Sequence, residues 1–235
     1  MKCNIVSIKK ASSSRSPNPT CVIFILAVLS AGDVCFGFDD EGFQYWSTAQ
    51  TYFDLDKNCK LAYEEEFKLG DDGGNLYYHH SDLGVVYKGL SRSIDLGVNY
   101  RQIQEKDSQD KWRPEYRPHF NVTLKNKLFG LDVSDRSRIE YRARENSKDI
   151  WRYRNKLSIE VPLEIADLKL RPYLADEVFF DLNDKGYSTN RLYSGLAVEL
   201  SKNTIGDIYF LWQTKRSGGE WQNISVLGTK LVFRF

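Results

Sequence analysis

Leu131–Arg144 reads LDVSDRSRIEYRAR, and its alternation is the clearest in the chain. The odd positions are Leu131, Val133, Asp135, Ser137, Ile139, Tyr141 and Ala143. The even positions are Asp132, Ser134, Arg136, Arg138, Glu140, Arg142 and Arg144. An extended strand sends successive side chains to opposite faces, so this segment has one largely lipid-compatible face and one rail of charge. The next segment repeats the division: Trp151, Tyr153, Leu157, Ile159 and Val161 oppose Arg152, Arg154, Lys156, Ser158 and Glu160. Upstream, Ile94, Leu96, Val98 and Tyr100 oppose Asp95, Gly97, Asn99 and Arg101. Downstream, Leu192, Leu196, Val198 and Leu200 oppose Arg191, Tyr193, Gly195 and Glu199.

The theme extends outward from this centre to Phe43 and to the C-terminus, with no convincing amphipathic helix. Strands are expected over 43–54, 59–69, 76–88, 93–105, 112–127, 131–145, 150–162, 168–181, 188–201, 205–215 and 222–235. They exceed the roughly five or six residues of an average strand. They suit a tilted membrane strand, which needs about nine to eleven. Eleven segments are legible, whereas bacterial single-chain barrels have even numbers. The expected fold is therefore all-β, an antiparallel transmembrane β-barrel of about twelve strands, with ten as the alternative. The breaks alternate in kind. GLSRS (89–93), LFGL (128–131) and SKNT (201–204) suit periplasmic turns, and KDSQDK (106–111), LNDKGYS (182–188) and KRSGGE (215–220) suit outer loops.

Alternation alone also fits a soluble, lipocalin-like barrel with its apolar face inside. Three features favour the membrane. The chain ends NISVLGTKLVFRF (223–235), with Leu227, Leu231, Phe233 and Phe235 on one face. An aromatic edge of this kind is an aggregation hazard in water. It resembles the C-terminal assembly signal of bacterial outer-membrane barrels, with Leu231, Phe233 and Phe235 as the signal residues. Second, Trp46, Trp112, Trp151, Trp212 and Trp221 fall near strand ends, where interfacial girdles belong. Third, residues 1–37 read as a signal peptide, leaving 38–235 for the barrel. Lys2, Lys9, Lys10 and Arg15 precede CVIFILAVLSA (21–31), a run too short for a typical spanning helix. Cleavage is expected after Gly37, with a site nearer Ala31 and an uncleaved anchor as alternatives. The residues before Cys35 fit a lipoprotein site poorly.

A net charge of +1 lacks the basic excess of a nucleic-acid binder. Three of the four cysteines (Cys3, Cys21, Cys35) lie in the leader, so residues 38–235 keep only Cys59. That excludes an intramolecular disulfide framework and a cysteine-cluster metal site there. No cofactor and no metal is expected.

Several stretches together resemble the DUF2490 family, which is grouped with bacterial outer-membrane β-barrels. They are Tyr45-Trp46-Ser47-Thr48, Leu76-Tyr77-Tyr78-His79, and the eight residues from Asp135 to Arg142. They continue with Trp151-Arg152-Tyr153-Arg154-Asn155, Arg171-Pro172-Tyr173, Glu177-Val178-Phe179-Phe180, Asn190-Arg191 and Gly195. The resemblance implies a barrel in the outer membrane and implies no established activity.

If the polar parity faces the lumen, the candidate lumen residues are Arg136, Arg138, Glu140, Arg142, Arg152, Arg154, Glu160, Arg171, Glu177 and Arg191. One reading is a narrow porin-like channel for small polar or anionic solutes, with a basic wall facing an acidic one. The other is a structural barrel whose lumen is closed by ion pairs, Arg136, Arg138 and Arg142 reaching Glu160 and Glu177. A minor alternative is a lipid-modifying hydrolase. His79 and Ser81 share the parity of Leu83, Val85 and Tyr87, hence the lipid face. That pair resembles the arrangement in outer-membrane phospholipases and lipid A deacylases. The third catalytic member is missing from the fourth strand, whose outward set is Ile94, Leu96, Val98 and Tyr100, so no enzyme is expected. The expected partners are outer-membrane lipid, lipopolysaccharide and the barrel assembly machinery.

Overall fold

The computed structural model describes residues 42–145, 147–165, 168–183 and 186–235. The expected signal peptide lies outside them. Twelve strands are present: β1 (Phe43–Asp54), β2 (Cys59–Gly70), β3 (Asn75–Ser91), β4 (Ile94–Lys106), β5 (Trp112–Leu128), β6 (Leu131–Arg144), β7 (Ile150–Glu160), β8 (Leu163–Ile165), β9 (Leu168–Asp181), β10 (Gly186–Ser201), β11 (Thr204–Ser217) and β12 (Glu220–Arg234).

Eleven of the twelve form a closed ring. β8 pairs only with the start of β9 and stands outside it. Ring neighbours are antiparallel except at the closure, where β12 pairs with β1 in parallel. That one parallel contact is what an odd ring requires. The ring holds the eleven segments legible in the sequence, and with β8, folded from the short piece after Pro162, the strands among the described residues number the expected twelve. The parallel seam runs from Phe43 opposite Ser225 to Tyr52 opposite Arg234. It ends on two backbone bonds, Asp54 N to Phe235 O at 2.8 Å and Phe235 N to Tyr52 O at 2.9 Å. Closure leaves the eleven ring strands with a partner on each side, a condition for spanning the interior of a bilayer.

The seam predicts a crosslink. Ser47 and Thr229 face each other across it, and paired strands lie about 4.8 Å apart, within disulfide reach. A Ser47→Cys, Thr229→Cys chain in a Cys59→Ser background should oxidise to a species of altered mobility after heating without reductant. Failure to crosslink while folded would exclude the parallel closure.

Side chains are arranged inside out. Val98 is 64% exposed on the outer surface, whereas Glu140 and Glu177 are each 1% exposed within. Leu83, Leu124, Leu157, Leu192 and Ile208 also stand exposed, as befits a surface meeting hydrocarbon. Trp112, Trp151, Trp212 and Trp221 are exposed, as an aromatic girdle requires, but Trp46 is not. It shares its parity with Gln44, Thr48 and Gln50, lies inside, and donates Nε1 to Gln44 Oε1 at 3.0 Å. Polar neighbours on its own parity were the signal that it belongs inside.

Residues 55–58, 92–93, 129–130 and 202–203 connect strands at one rim, the turn rim; 71–74, 107–111 and 218–219 connect them at the other, the loop rim. The expected outer loop over 215–220 shrinks to residues 218–219, because β11 and β12 stay paired out to Ser217 and Glu220. In the 107–111 loop, Asp107 accepts Arg113 Nε at 2.8 Å and the amides of Lys111 and Gln109 at 3.0 and 2.8 Å. The Arg113 bond, followed by those amides, holds its carboxyl below the ordinary range.

Candidate functional site: the charged lumen

The barrel encloses a cavity of about 1200 Å³ lined by every ring strand. At roughly 30 Å³ per molecule it has room for about 40 waters. Its lining reaches from Gln44 and Lys215 near the loop rim to Lys127 and Asp132 near the turn rim.

Of the ten residues expected in the lumen, nine line this cavity: Arg136, Arg138, Arg142, Arg152, Arg154, Glu160, Arg171, Glu177 and Arg191. Glu140 lies beneath them, its side chain 0% exposed, within 3.3 Å of Arg154 and 3.7 Å of Arg117. Glu177 is the second hub. Its Oε1 accepts Arg136 Nη2 at 2.7 Å and Arg154 Nη2 at 2.8 Å, and its Oε2 accepts the Tyr193 hydroxyl at 3.1 Å. Arg142 does not reach Glu160 or Glu177. It forks onto Glu115 of β5 at 2.6 and 2.8 Å. Glu160 instead takes Arg171 at 3.3 Å. Arg138 donates Nε to a neutral acceptor, Asn121 Oδ1, at 2.6 Å.

Across the lumen, β2 and β3 carry the acids Glu64, Glu66 and Asp82. Each wall nevertheless holds its own counter-charges. Arg101 Nε meets Asp82 at 2.7 Å and its Nη2 meets Glu64 at 3.1 Å, while Lys230 Nζ reaches Glu64 at 3.3 Å. Burying unpaired charges would be prohibitive, so local pairing on both walls is what the fold can tolerate.

The pairing is unequal. Sixteen lysine and arginine side chains line the cavity, against eight carboxylates. On the β6–β9 wall the carboxylate also sits lower: Glu177 is 1% exposed and Arg136, which covers it, 31%; on the β2–β4 wall the order reverses, with Glu64 at 18% against 10% for Arg101. Part of the cationic surplus is faced by aromatic rings. Lys68 Nζ lies 3.5 Å from the Trp46 ring centre, Lys156 Nζ 3.7 Å from that of Tyr193, and Arg154 Cζ 4.4 Å from that of Phe179. Arg191 stands 4.9 Å from both Trp46 and Phe179. A ring's negative face stabilises a cation without cancelling its charge. Sequence reading missed Glu115 and this aromatic wall of Phe179, Tyr193 and Trp46. Glu115 shares parity with Arg117, His119 and Asn121, a signal the alternation already contained.

Residues 43–223 match the model of the family DUF2490, described as a protein of unknown function. A comparison with curated proteins finds no match. Among solved structures the chain is similar to the crystal structure of the β domain of the Bordetella autotransporter Brka. The TM-score is 0.47 and the identity 10%, with 73% of this chain and 82% of that chain covered. With a family model spanning most of its length, the chain belongs to the DUF2490 family.

Proposed function

We propose that this barrel sits in a bacterial outer membrane and forms a narrow, water-filled channel that favours small anions. The observation that carries this reading is the cavity lining, with twice as many cationic side chains as carboxylates. A low-dielectric wall of one dominant sign raises the local concentration of the opposite ion. The apolar exterior and the exposed tryptophans support a membrane setting, with lipid and lipopolysaccharide outside. The aromatic end, Leu231, Phe233 and Phe235, supports recognition by the barrel assembly machinery.

Planar-bilayer recording tests it. The refolded chain should give unitary steps whose reversal potential in a KCl gradient moves toward that of chloride. Arg138→Ala should raise the unitary conductance and weaken the chloride preference with little loss of stability, since Arg138 is held by Asn121 and, among the described residues, by no direct ion pair. Silence of the folded protein would favour instead the lumen closed by its ion pairs, the reading supported by the fully covered Glu140 and Glu177.

A further inference from the structure

An ionisable group on the lipid face of a membrane protein is costly and is functional by default. The outer surface of β2–β4 carries an island of such groups. Glu65 of β2 lies directly opposite Ser81 of β3, and Ser81 lies opposite Gln102 of β4. His79, two residues before Ser81 on the same face, stacks on Phe67 with ring centres 4.6 Å apart and sets its Nε2 2.6 Å from Glu65 Oε2. Glu65 also accepts the hydroxyl of Tyr63. The third member that β4 does not supply therefore comes from β2, where strand register and not sequence spacing places it. A groove of about 340 Å³, lined by Phe67, Leu76, His79, Gln104 and Trp112, opens beside the imidazole. His79 lies only four residues from the start of β3 at the loop rim, close to water.

We propose that Ser81, His79 and Glu65 form a second site, on the outside of the barrel, that hydrolyses the acyl ester of a membrane lipid. The groove takes the acyl chain, which reaches it from the bilayer without passing through the lumen. Ser81 Oγ attacks the ester carbonyl carbon. Its proton passes to the imidazole of His79, two residues away on the same strand face, and the imidazolium stays paired with Glu65. The side-chain amide of Gln102, on the other flank of Ser81, donates to the oxyanion. The carbon–oxygen ester bond breaks, the lipid alcohol leaves with the proton from His79, and the acyl group remains on Ser81. Water, deprotonated by His79, then attacks the acyl-serine. A free fatty acid leaves and the proton returns to Ser81. The net reaction consumes one water per ester.

The test uses the chain refolded into two sets of vesicles, one of phosphatidylethanolamine and phosphatidylglycerol, the other also holding lipopolysaccharide. Mass spectrometry of the lipids should show free fatty acid with the matching deacylated lipid, and the set that yields it identifies the source. Ser81→Ala should abolish release, and His79→Asn should lower it about 10²- to 10⁴-fold. A fluorophosphonate probe on the unmutated chain reads Ser81 without relying on any variant folding, and should add at that residue. Absence of fatty acid from both vesicle sets, release that survives in folded Ser81→Ala, or labelling away from Ser81 would each overturn the assignment. None of these readings depends on whether the lumen conducts.

Discussion

Replacing Glu177 by alanine is expected to destabilise the barrel by about 3–5 kcal/mol, the cost of leaving buried cations without their partner. Glu177 is 1% exposed and is the shared acceptor of Arg136 and Arg154, with Arg191 4.0 Å away and the Tyr193 hydroxyl bonded to its second oxygen. Its loss strips counter-charge from three strands, β6, β7 and β10. Glu160→Ala is the internal comparison. Its partner Arg171 is 33% exposed and has a second carboxylate, Glu199, at 2.6 Å, so the loss there should stay within about 1 kcal/mol. Urea unfolding of both variants in lipid vesicles measures the difference. If Glu177→Ala falls in the range of Glu160→Ala, the lumen water reaches past the guanidinium groups to Glu177 and screens them. The picture of carboxylates sealed beneath cations would then fail. A double-mutant cycle with Arg154→Met separates the pair from its surroundings. Removing both partners should recover only part of the loss, because Arg154 is no longer orphaned while Arg136 still is.

The alternation in Leu131–Arg144 made the inside and outside of most strands legible, because parity is a local property. Arg136, Arg138, Arg142, Arg152 and Arg154 line the cavity as that parity requires. Properties set by register were not legible. Nothing in β1 or β12 alone says that they meet in parallel, since direction of pairing leaves no mark on alternation. The partner of Arg142 is Glu115, because β5 pairs with β6 in a register that brings them together. The partner of His79 is Glu65 on β2, the neighbour of β3 on the side away from β4. Trp46 was misplaced for a different reason. Its position near a strand end was weighed above the parity of Gln44 and Thr48, and parity decides.

Deleting Leu231–Phe235 is expected to abolish the folded barrel, whereas Phe235→Ala should refold in vesicles with a loss of about 0.5–1.5 kcal/mol. The two changes separate two roles of the same residues. The backbone of this end closes the ring: Ala49 to Tyr52 of β1 pair with Leu231 to Arg234, and Phe235 exchanges backbone bonds with Tyr52 and Asp54. The same residues occupy one side of β11, where Thr204 to Gly206 pair with Leu231 to Phe233. Truncation thus exposes backbone groups on both flanking strands, and each unsatisfied group in hydrocarbon costs several kcal/mol. Phe235→Ala keeps every one of those bonds and removes only the side chain, which stacks on Phe53 at 5.5 Å. Refolding into vesicles proceeds without assembly machinery, so it reads closure alone. In cells the same Phe235→Ala chain should accumulate outside the membrane if the aromatic end is also a recognition signal, and should assemble normally if its role ends at the seam. A truncated chain that still resists unfolding in detergent would show that β1 and β12 are not what closes the ring.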